Sequence, residues 1–316
     1  MKSPAPPTQL QPDTGDAQPS VLAPILQANG FDLAYNLLDI GALPLAGQTE
    51  PYHQLLGAFP SSRLSGFEID PDLCAELNRK AAARVRYYPC ALGRTEETRK
   101  LYNTVHPMCT SLYAPDENFA DLFNQLDVMR LKNTSEVTTT SLDRFAHDQV
   151  LGAVDFVKID VQGAELEIFQ GGSSALRSVL LIVCEVGFVP LYAQQPLFGD
   201  VDAWMRQHGM MFHKFLGMAG RVVKPLAVHG RFDYPAQFMW ADAVFVRDLF
   251  ALELLSGEQL LKFAVLLDIY DSKDMALHVL RRYDAMQGDD LGEIYTSHIS
   301  ATGTWGFAPQ AQAGKS

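Results

Sequence analysis

The sequence is poor in cysteine and contains no long hydrophobic run. Its four cysteines, among 316 residues, show neither C-x-x-C nor metal-ligand spacing, which argues against a disulfide framework or a zinc module. No apolar stretch approaches the roughly 18 residues that a membrane-spanning helix needs. The N-terminal segment lacks the apolar core of a secretory signal. These absences predict a cytoplasmic protein with buried, reduced thiols at Cys74, Cys90, Cys109 and Cys184.

Basic residues are scarce relative to acidic ones. Lys and Arg number 25 against 37 Asp and Glu, a formal net charge of −12. A protein that binds a nucleic-acid backbone needs clustered cations, because binding depends on release of the counterions of the phosphates. The charge balance therefore argues against a nucleic-acid partner.

Strand-like and helix-like segments alternate along most of the chain, which predicts parallel βαβ units. The predicted strands of these units are residues 35–40, 63–69, 85–89, 155–160 and 179–186. A β-rich, irregular insertion is expected over residues 94–140, with Ser141 as the N-cap of a short helix. Strand-like segments 210–217 and 241–247 are expected to form an antiparallel pair that closes the sheet.

The same pattern predicts the domain organisation. Residues 1–19 have few large apolar side chains, so they are expected to form a flexible tail. Residues 20–250 are expected to form the main domain, 251–290 a helical appendage packed on it, and 291–316 a second flexible tail.

Two helices are predicted in the appendage, over residues 257–269 and 273–283. Each is opened by a serine, Ser256 for the first and Ser272 for the second. Ser256 with Gln259 fits a capping box, in which each side chain satisfies a main-chain N–H group of the other residue.

Two predicted strand ends carry the first functional signal, because ligands of open α/β sheets bind beyond the carboxyl ends of the strands. Asp39 ends the first strand, and Gly41 follows it, where a glycine lets the main chain approach a ligand closely. Glu68 ends the second strand, where a carboxylate can accept two ribose hydroxyls. The pair predicts an adenosine-containing ligand. The alternative is an aspartate that caps the loop and a glutamate that faces solvent.

The loop after the first strand argues against a dinucleotide. It reads Gly41-Ala-Leu-Pro-Leu-Ala-Gly47, without the G-x-G-x-x-G pattern that places a pyrophosphate on a helix N-terminus. A Walker A motif is also absent. The sequence therefore disfavours a nicotinamide-dependent oxidoreductase and favours a nucleoside ligand without phosphate, such as S-adenosylmethionine.

The segment from Asp155 to Gly171 places charged residues in a buried strand. Lys158 and Asp160 are two residues apart and share a face of the strand, which predicts an ion pair because a buried lysine needs a partner. Glu165 is expected in the first turn of the next helix, where the helix dipole favours an anion. The alternative is an ion pair that only stabilises the sheet. Because buried ion pairs stabilise poorly, we favour a functional role.

The stretch Lys158-Ile-Asp-Val-Gln-Gly-Ala-Glu165 resembles the signature of the FkbM-type S-adenosylmethionine-dependent methyltransferases. Supporting segments fall in the order that this family shows, namely Leu38–Ala42, Gly66–Glu68, Ala91–Gly93, Thr140–Asp143, Cys184–Phe188 and Pro190–Tyr192. The chain departs from the family at Leu43 and Pro44, where Asn and a nearby glycine are usual, and at Gln162, where Glu is usual.

This resemblance implies a Rossmann-like class I methyltransferase fold, an α/β fold with a mostly parallel seven-stranded sheet and helices on both faces. It implies methyl transfer from S-adenosylmethionine to a hydroxyl of a sugar, a glycan or another small natural product. The cofactor-binding residues that it implies are Asp39, Gly41, Ala42, Glu68, Ile69, Ala91, Leu92 and Asp160.

A hydroxyl acceptor must lose its proton during methylation. The catalytic candidates are Asp160 as the first choice of base, Glu185 as the second, and Lys158 as the partner of Asp160. His106 and His213 are weaker candidates, because a lone histidine more often has a structural role.

Two alternatives stay open. Asp160 and Glu185 are spaced to hold a Mg²⁺ that polarises the acceptor hydroxyl, although no D-x-D or D-N pair follows either strand, which disfavours a metal. The altered loop at Leu43 and Pro44 suggests a catalytically degenerate member of the family that binds a nucleoside or a glycan.

Overall fold

The structure of the protein, a computed structural model, describes residues 19–42, 50–301 and 303–306. Their contacts divide them into two units. The larger unit comprises residues 34–42 and 61–249, and the smaller comprises 19–33, 50–60, 250–301 and 303–306. The smaller unit therefore takes three separate stretches of chain, and the expected appendage of residues 251–290 is only part of it.

The strands all belong to the larger unit. In chain order they are β1 (Asn36–Ile40), β2 (Arg63–Glu68), β3 (Val85–Pro89), β4 (Ala91–Gly93), β5 (Glu97–Thr104), β6 (Leu131–Ser141), β7 (Phe156–Ile159), β8 (Leu181–Gly187), β9 (Met210–Arg221) and β10 (Gln237–Arg247).

The α-helices are divided between the units. The smaller unit contains α1 (Leu22–Ala28) and α2 (His53–Ala58). In the larger unit they are α3 (Pro71–Lys80), α4 (Glu117–Leu122), α5 (Leu142–Asp148), α6 (Glu165–Gly171) and α7 (Phe198–Gln207). The smaller unit also contains α8 (Gly257–Ile269), α9 (Lys273–Gln287) and α10 (Leu291–Ala301).

A seven-stranded sheet with the order β3-β2-β1-β7-β8-β10-β9 forms the centre of the larger unit. The pairs from β3 to β8 are parallel, and β10 is antiparallel to both of its neighbours. The mostly parallel seven-stranded sheet and the closing antiparallel pair are therefore confirmed. The order of the strands reverses between β1 and β7, which is where ligands bind in sheets of this kind.

The expected β-rich insertion is a second sheet, of three strands in the order β4-β6-β5. Its longest contact is the antiparallel pairing of β5 with β6. At its end Ser141 accepts a hydrogen bond from the main-chain N–H of Arg144 at 3.2 Å. This confirms Ser141 as the N-cap of α5, because the cap satisfies an N–H group that has no partner within the helix.

One face of the large sheet is apolar and packs against α5, α6 and α7. Alternate residues of a strand point to the same face, so β1 contributes Leu38 and Ile40, while β7 contributes Val157 and Ile159. The helices cover these side chains with a fully or nearly fully buried set, Leu142, Phe145, Ile168, Phe169, Val201 and Met205. The other face carries the intervening residues of the same strands, including Asp39 and Lys158.

The smaller unit confirms one prediction and corrects two. Ser256 and Gln259 form the expected capping box at α8, but Ser272 makes no side-chain capping bond at α9. Residues 291–316 were expected to be a flexible tail, and this is wrong for α10, whose Leu291 and Tyr295 are buried at helical spacing. Residues 302 and 307–316 lie outside the described residues, as does the predicted N-terminal tail apart from Pro19.

Three of the thiols are buried as expected, and the fourth, that of Cys90, is half-buried. None of the four cysteines forms a disulfide. Within the described part of the chain no helix combines the length and the apolar character that a membrane crossing requires.

A buried carboxylate joins the helices of the smaller unit. Asp268 on α8 is 1% exposed, and its Oδ1 accepts hydrogen bonds from the Tyr295 hydroxyl at 2.6 Å and from Lys273 Nζ at 3.0 Å. Its Oδ2 accepts from the start of α1, namely from Ser20 Oγ at 2.6 Å, Val21 N at 2.8 Å and Leu22 N at 3.0 Å. A single side chain thus ties α1, α8, α9 and α10 together.

We expect Asp268→Asn to destabilise the smaller unit by about 3–5 kcal/mol, because the buried Lys273 ammonium loses its counter-charge. The matched control is Asp274→Asn, which removes an exposed carboxylate in the first turn of α9 and should cost about 0.3–1 kcal/mol. Urea unfolding followed by far-ultraviolet circular dichroism measures both values. Equal losses in the two variants would contradict the role of Asp268.

Candidate functional site

The carboxyl ends of β1, β7 and β8 lie side by side. Ile40 of β1 pairs with Ile159 of β7, and Ile159 pairs with Cys184 of β8. Asp160 directly follows β7, and Glu185 is the next residue of β8 after Cys184. The parallel register therefore brings the two predicted candidates for the base to neighbouring strand ends.

The side chain of Gln162 links these two carboxyl groups. Its Nε2 donates to Asp160 Oδ1 at 2.8 Å and to Glu185 Oε2 at 2.9 Å. Its Oε1 accepts from the Tyr192 hydroxyl at 2.9 Å, and that hydroxyl also lies 3.0 Å from the main-chain oxygen of Cys109. The one hydrogen of the hydroxyl is shared between Oε1 and the Cys109 oxygen, while the NH₂ group of the amide faces the two carboxyl groups.

Glu165 holds the turn that carries Gln162. Gln162 has a φ of +58° and Gly163 a φ of +105°, so the turn passes through left-handed backbone conformations. Glu165 is 5% exposed and accepts from the main-chain N–H groups of Val161 at 3.0 Å and Gly163 at 3.0 Å. Burial raises the pKa of Glu165 to about 7, against the lowering effect of these main-chain bonds. Its position in the first turn of α6 is confirmed.

Glu185 and Asp160 form a closely interacting pair of carboxyl groups. Burial, and then the neighbouring charge of Asp160, raise the pKa of Glu185 well above its usual range. Two carboxyl groups that bond the same amide nitrogen are close neighbours, and they cannot both ionise as readily as isolated ones. The pair therefore retains a proton to a higher pH than an isolated carboxyl group would.

A cavity with mostly apolar walls opens at this pair. Its interior leaves about 40 Å³ for a water-sized sphere, which is well below the roughly 300–1,000 Å³ of typical small-molecule sites. Its polar residues are Asp160, Gln162 and Glu185, and its remaining lining consists of Met108, Cys109, Leu126, Val128, Met129, Leu191, Tyr192 and Trp240. The structure thus places two carboxyl groups at a narrow cavity whose walls are mostly apolar.

Sequence reasoning did not assign most of these lining residues. Tyr192 lies in a segment that carried the family resemblance, but it had no role there. Gln162 was singled out only as a departure from the family. The side chains of Met108 and Trp240 are far from Asp160 in the sequence, and no local pattern indicates that they meet it.

Lys158 is buried on β7, with 8% of its surface exposed. Asp39 of β1 pairs with it in register, so a second carboxylate lies beside it on the same face of the sheet. Its predicted ion pair with Asp160 stays a prediction.

The structure shows a packing requirement at Gly41, and its predicted contact with a ligand stays a prediction. Its φ is +83°, and a Cβ built on it would lie 1.9 Å from the main-chain oxygen of Asp160. The N–H groups of Gly41 and Ala42 both donate to the main-chain oxygen of Phe67, at 3.0 Å each. The glycine is thus required by the close packing of the turn against the end of β7.

The other predicted cofactor residues lie near the ends of the neighbouring strands. Glu68 ends β2 and is half-buried, and its Oε1 accepts from the main-chain N–H of Asp70 at 2.9 Å. Burial raises the pKa of Glu68. Ile69 follows it, and Ala91 and Leu92 belong to β4. The Leu92 side chain packs into the apolar core, which leaves its main chain as the group that can contact a ligand.

The two histidine candidates lie outside this arrangement. His106 caps the short 3₁₀ helix Pro107–Cys109, because its Nδ1 accepts from the main-chain N–H of Met108 at 3.3 Å. His213 lies on β9 and is half-buried. Neither histidine is among the residues that line the cavity.

The donor set at the carboxyl pair does not suit a metal ion. Over the ranges that the structure describes, no group of three or more His, Cys, Asp and Glu side chains is arranged to hold one. At the pair itself, the Nε2 of Gln162 bonds both Asp160 and Glu185. An amide NH₂ group donates hydrogen bonds and is not a ligand for Mg²⁺.

Comparison with known proteins identifies the family. A family model described as the methyltransferase FkbM domain matches residues 40–212, more than half of the chain. The chain belongs to the FkbM methyltransferase family. Together with the strand order, this membership confirms the predicted Rossmann-like class I methyltransferase fold. No curated protein is a significant match to this FkbM methyltransferase.

Solved structures with detectable similarity are distant from this FkbM methyltransferase. One is the magnesium protoporphyrin IX methyltransferase of Synechocystis PCC 6803 with bound S-adenosylmethionine. It has 12% identity and a TM-score of 0.34, over 72% of this chain and 76% of that chain. Another is the 23S rRNA methyltransferase ErmE, with 13% identity and a TM-score of 0.31, over 83% of this chain and 81% of that chain.

We expect Gly41→Ala to destabilise the larger unit by more than the cost of its φ angle alone. A left-handed conformation costs a residue with a Cβ about 1–2 kcal/mol, and here the Cβ also collides with the main chain of Asp160. Gly152→Ala is the matched control, because Gly152 has a φ of +76° and a Cβ added there would meet no atom within 4 Å. Unfolding free energies in urea measure both. A Gly41→Ala loss no larger than that of Gly152→Ala would show that the close approach carries no strain.

Proposed function

We propose that this protein is an S-adenosylmethionine-dependent O-methyltransferase that acts on a hydroxyl of a small molecule. The observation that carries the proposal is the carboxyl pair of Asp160 and Glu185 on the floor of a cavity with mostly apolar walls. Membership of the FkbM family supports methyl transfer. The net charge of −12 disfavours a nucleic-acid acceptor.

The residues at the ends of β1 and β2 fit a nucleoside cofactor. Glu68 presents a half-buried carboxylate at the strand end, where it can accept hydrogen bonds from two ribose hydroxyls. Ala42 and Ile69 follow the two strands and would flank the nucleoside. When bound, S-adenosylmethionine supplies a methyl group on a positively charged sulfur. Leu43 and Pro44, which motivated the alternative of a degenerate binding protein, lie outside the described residues.

Asp160 is the best-placed group to receive the proton of the acceptor hydroxyl. It directly follows β7, beside the turn that follows β1, and it lines the cavity. Gln162 donates to its Oδ1, which restricts the rotation of the carboxyl group. The charge interaction with Glu185 makes a carboxylate of the pair a stronger base than an isolated one.

The walls of the cavity define the class of acceptor. Methionine, leucine and valine side chains dominate them, with aromatic rings from Tyr192 and Trp240. A glycan would need several polar partners for its hydroxyls, because buried polar groups without hydrogen bonds are costly. The lining therefore favours a hydroxyl-bearing natural product with an apolar body over a fully polar glycan.

We expect Glu68→Ala to weaken S-adenosylmethionine binding by about 1.5–3 kcal/mol, or roughly 10- to 150-fold, because hydrogen bonds to a charged group are lost. Glu76→Ala, which removes an exposed carboxylate on α3 paired only with Lys80, should leave the affinity unchanged. Isothermal titration calorimetry measures both. Unchanged affinity in a folded Glu68→Ala protein would remove Glu68 from the cofactor site.

We expect Asp160→Asn to lower the turnover number about 10²–10⁴-fold, the usual contribution of a general base, with cofactor affinity within a few fold of the original. The assay uses labelled S-adenosylmethionine and an acceptor found by screening hydroxylated small molecules. Full turnover in the variant would exclude Asp160 as the base. If Asp160 instead holds Mg²⁺, EDTA should abolish the activity of the unmodified protein and excess Mg²⁺ should restore it.

Glu185→Gln tests which of the two carboxyl groups is the base, through the pH dependence of turnover. The base must be ionised, so the rate rises with pH through the pKa of the pair. Because the charge of Asp160 raises the pKa of Glu185, the pair holds its last proton to a higher pH than a single carboxyl group, and Glu185→Gln should shift this rise to lower pH. A shift to higher pH, or loss of the rise, would identify Glu185 as the ionising group.

A further inference from the structure

A second pocket opens on the larger unit, at the opposite end of the large sheet from the carboxyl pair. Ile182, near the start of β8, and Met210, the first residue of β9, line it, so it lies at the amino ends of these strands. It leaves about 330 Å³ for a water-sized sphere, which falls within the roughly 300–1,000 Å³ of typical small-molecule sites. The larger unit therefore has room for a small molecule at a place that the proposed reaction does not use.

The lining of this second pocket combines an apolar interior with polar groups at one side chain each. Its apolar surface comes from buried side chains, namely Leu176, Ile182 and Met210. Its polar groups belong to Ser173, Arg177 and His208, and no Asp or Glu is among the residues that line it. This composition suits a molecule with an apolar body and an acceptor group that is not positively charged.

Trp204 and His208 form an aromatic wall of the second pocket. Their ring centres lie 3.7 Å apart in a stacked arrangement, and the Trp204 ring also stacks with that of Phe169 at 5.4 Å. The Nδ1 atom of His208 lies 2.7 Å from the main-chain oxygen of Trp204. Because a carbonyl oxygen only accepts, this nitrogen carries a proton. The wall is therefore fixed, and Nε2 is the histidine nitrogen left to bond a ligand.

Arg247, the last residue of β10, holds the main chain around the second pocket. Its Nη1 donates to the main-chain oxygen of His208 at 3.1 Å, and its Nη2 donates to those of Leu176 and Arg177. Its Nε donates to the main-chain oxygen of Val179 at 2.6 Å. Burial lowers the pKa of this guanidinium, and over the described part of the chain no carboxylate bonds it. A positive charge beside the pocket is thus bound only to carbonyl oxygens.

Arg177 adds a second positive charge at the pocket itself. It is exposed, and among the residues that the structure describes its guanidinium has neither a hydrogen bond nor an ion pair. Other exposed arginines of this unit are paired, such as Arg144 with Asp148 at 2.6 Å and Arg206 with Asp202 at 2.9 Å. In a protein with a net charge of −12, two cations without a bound carboxylate beside one pocket attract an anion to it.

We propose that the second pocket binds a small organic anion with an apolar body, a carboxylic acid or a phosphate monoester, whose anionic group is held by Arg177. A guanidinium presents a planar pair of N–H donors that match the oxygens of either group. The Ser173 hydroxyl adds a donor, and the aromatic wall and aliphatic side chains contact the apolar body. Arg247 contributes its charge and the fixed main chain. This inference is independent of the proposed function.

The test compares three probes that share one apolar body and differ in charge. They are 2-naphthoate, 2-naphthyl phosphate and the neutral 2-naphthamide, each titrated by calorimetry into the full-length protein. The variants are Arg177→Gln, which removes the charge, and Arg177→Lys, which keeps it. Arg79→Gln is the matched control, because it removes an exposed arginine of α3 that does not line the pocket. Thermal unfolding establishes that each variant is folded.

We expect at least one anion to bind about 5- to 15-fold more tightly than 2-naphthamide, between the effects of an exposed ion pair and of a buried charge-assisted hydrogen bond. Arg177→Gln should abolish this preference, Arg177→Lys should retain part of it, and Arg79→Gln should retain all of it. Tighter binding of 2-naphthoate would identify the ligand as a carboxylic acid, and tighter binding of 2-naphthyl phosphate as a phosphate monoester.

Three results would overturn the proposal. The first is that neither anion binds, and the second is that neither is preferred to the amide. The third is that the preference survives Arg177→Gln, which would place the bound anion away from Arg177.

Discussion

The close approach of Gly41 to the main-chain oxygen of Asp160 is the contact on which the candidate site depends. It leaves no room for a Cβ, and it occurs where the main-chain N–H of Asp160 donates to the main-chain oxygen of Ile40 at 2.9 Å. The turn after β1 is also bonded to Phe67 of β2. The ends of β1, β2 and β7 are thus joined through the main chain. Asp160 is therefore positioned by its backbone before any side chain contributes, as its proposed role in the reaction requires.

The acidic groups around this contact are costly to bury. The hydrogen bonds that offset this cost differ between Glu165 and the pair of Asp160 and Glu185. Glu165 accepts main-chain N–H groups and holds a turn, so its burial serves the geometry of the loop. Asp160 and Glu185 share a neutral amide donor instead, and their mutual repulsion is not neutralised by it. Repulsion between two carboxylates that no cation neutralises raises the proton affinity of the pair. The same feature that weakens the fold at this point would supply the basicity that the proposed hydroxyl acceptor requires.

Asp268 in the smaller unit shows the opposite solution for a buried acid. Both of its oxygens accept from several donors, including the Lys273 ammonium, and it lies among packed helices. The charge of Asp268 is thus paired within the protein and maintains the structure of the smaller unit.

Local patterns in the sequence determined the elements of the fold: β3 and α8 have the predicted bounds, and the caps at Ser141 and Ser256 are as expected. The family motif around Asp160 was equally local. Tertiary structure alone decided that Gln162 bridges two carboxyl groups, that Gly41 packs on Asp160, and that α10 is helical rather than a tail. It also brought Cys109 and Trp240 to the cavity that Asp160 lines. Hydrophobic periodicity and helix capping depend on residues only a few positions apart. The contacts at the site join residues far apart in the chain, and no local pattern predicts which distant side chains will be in contact.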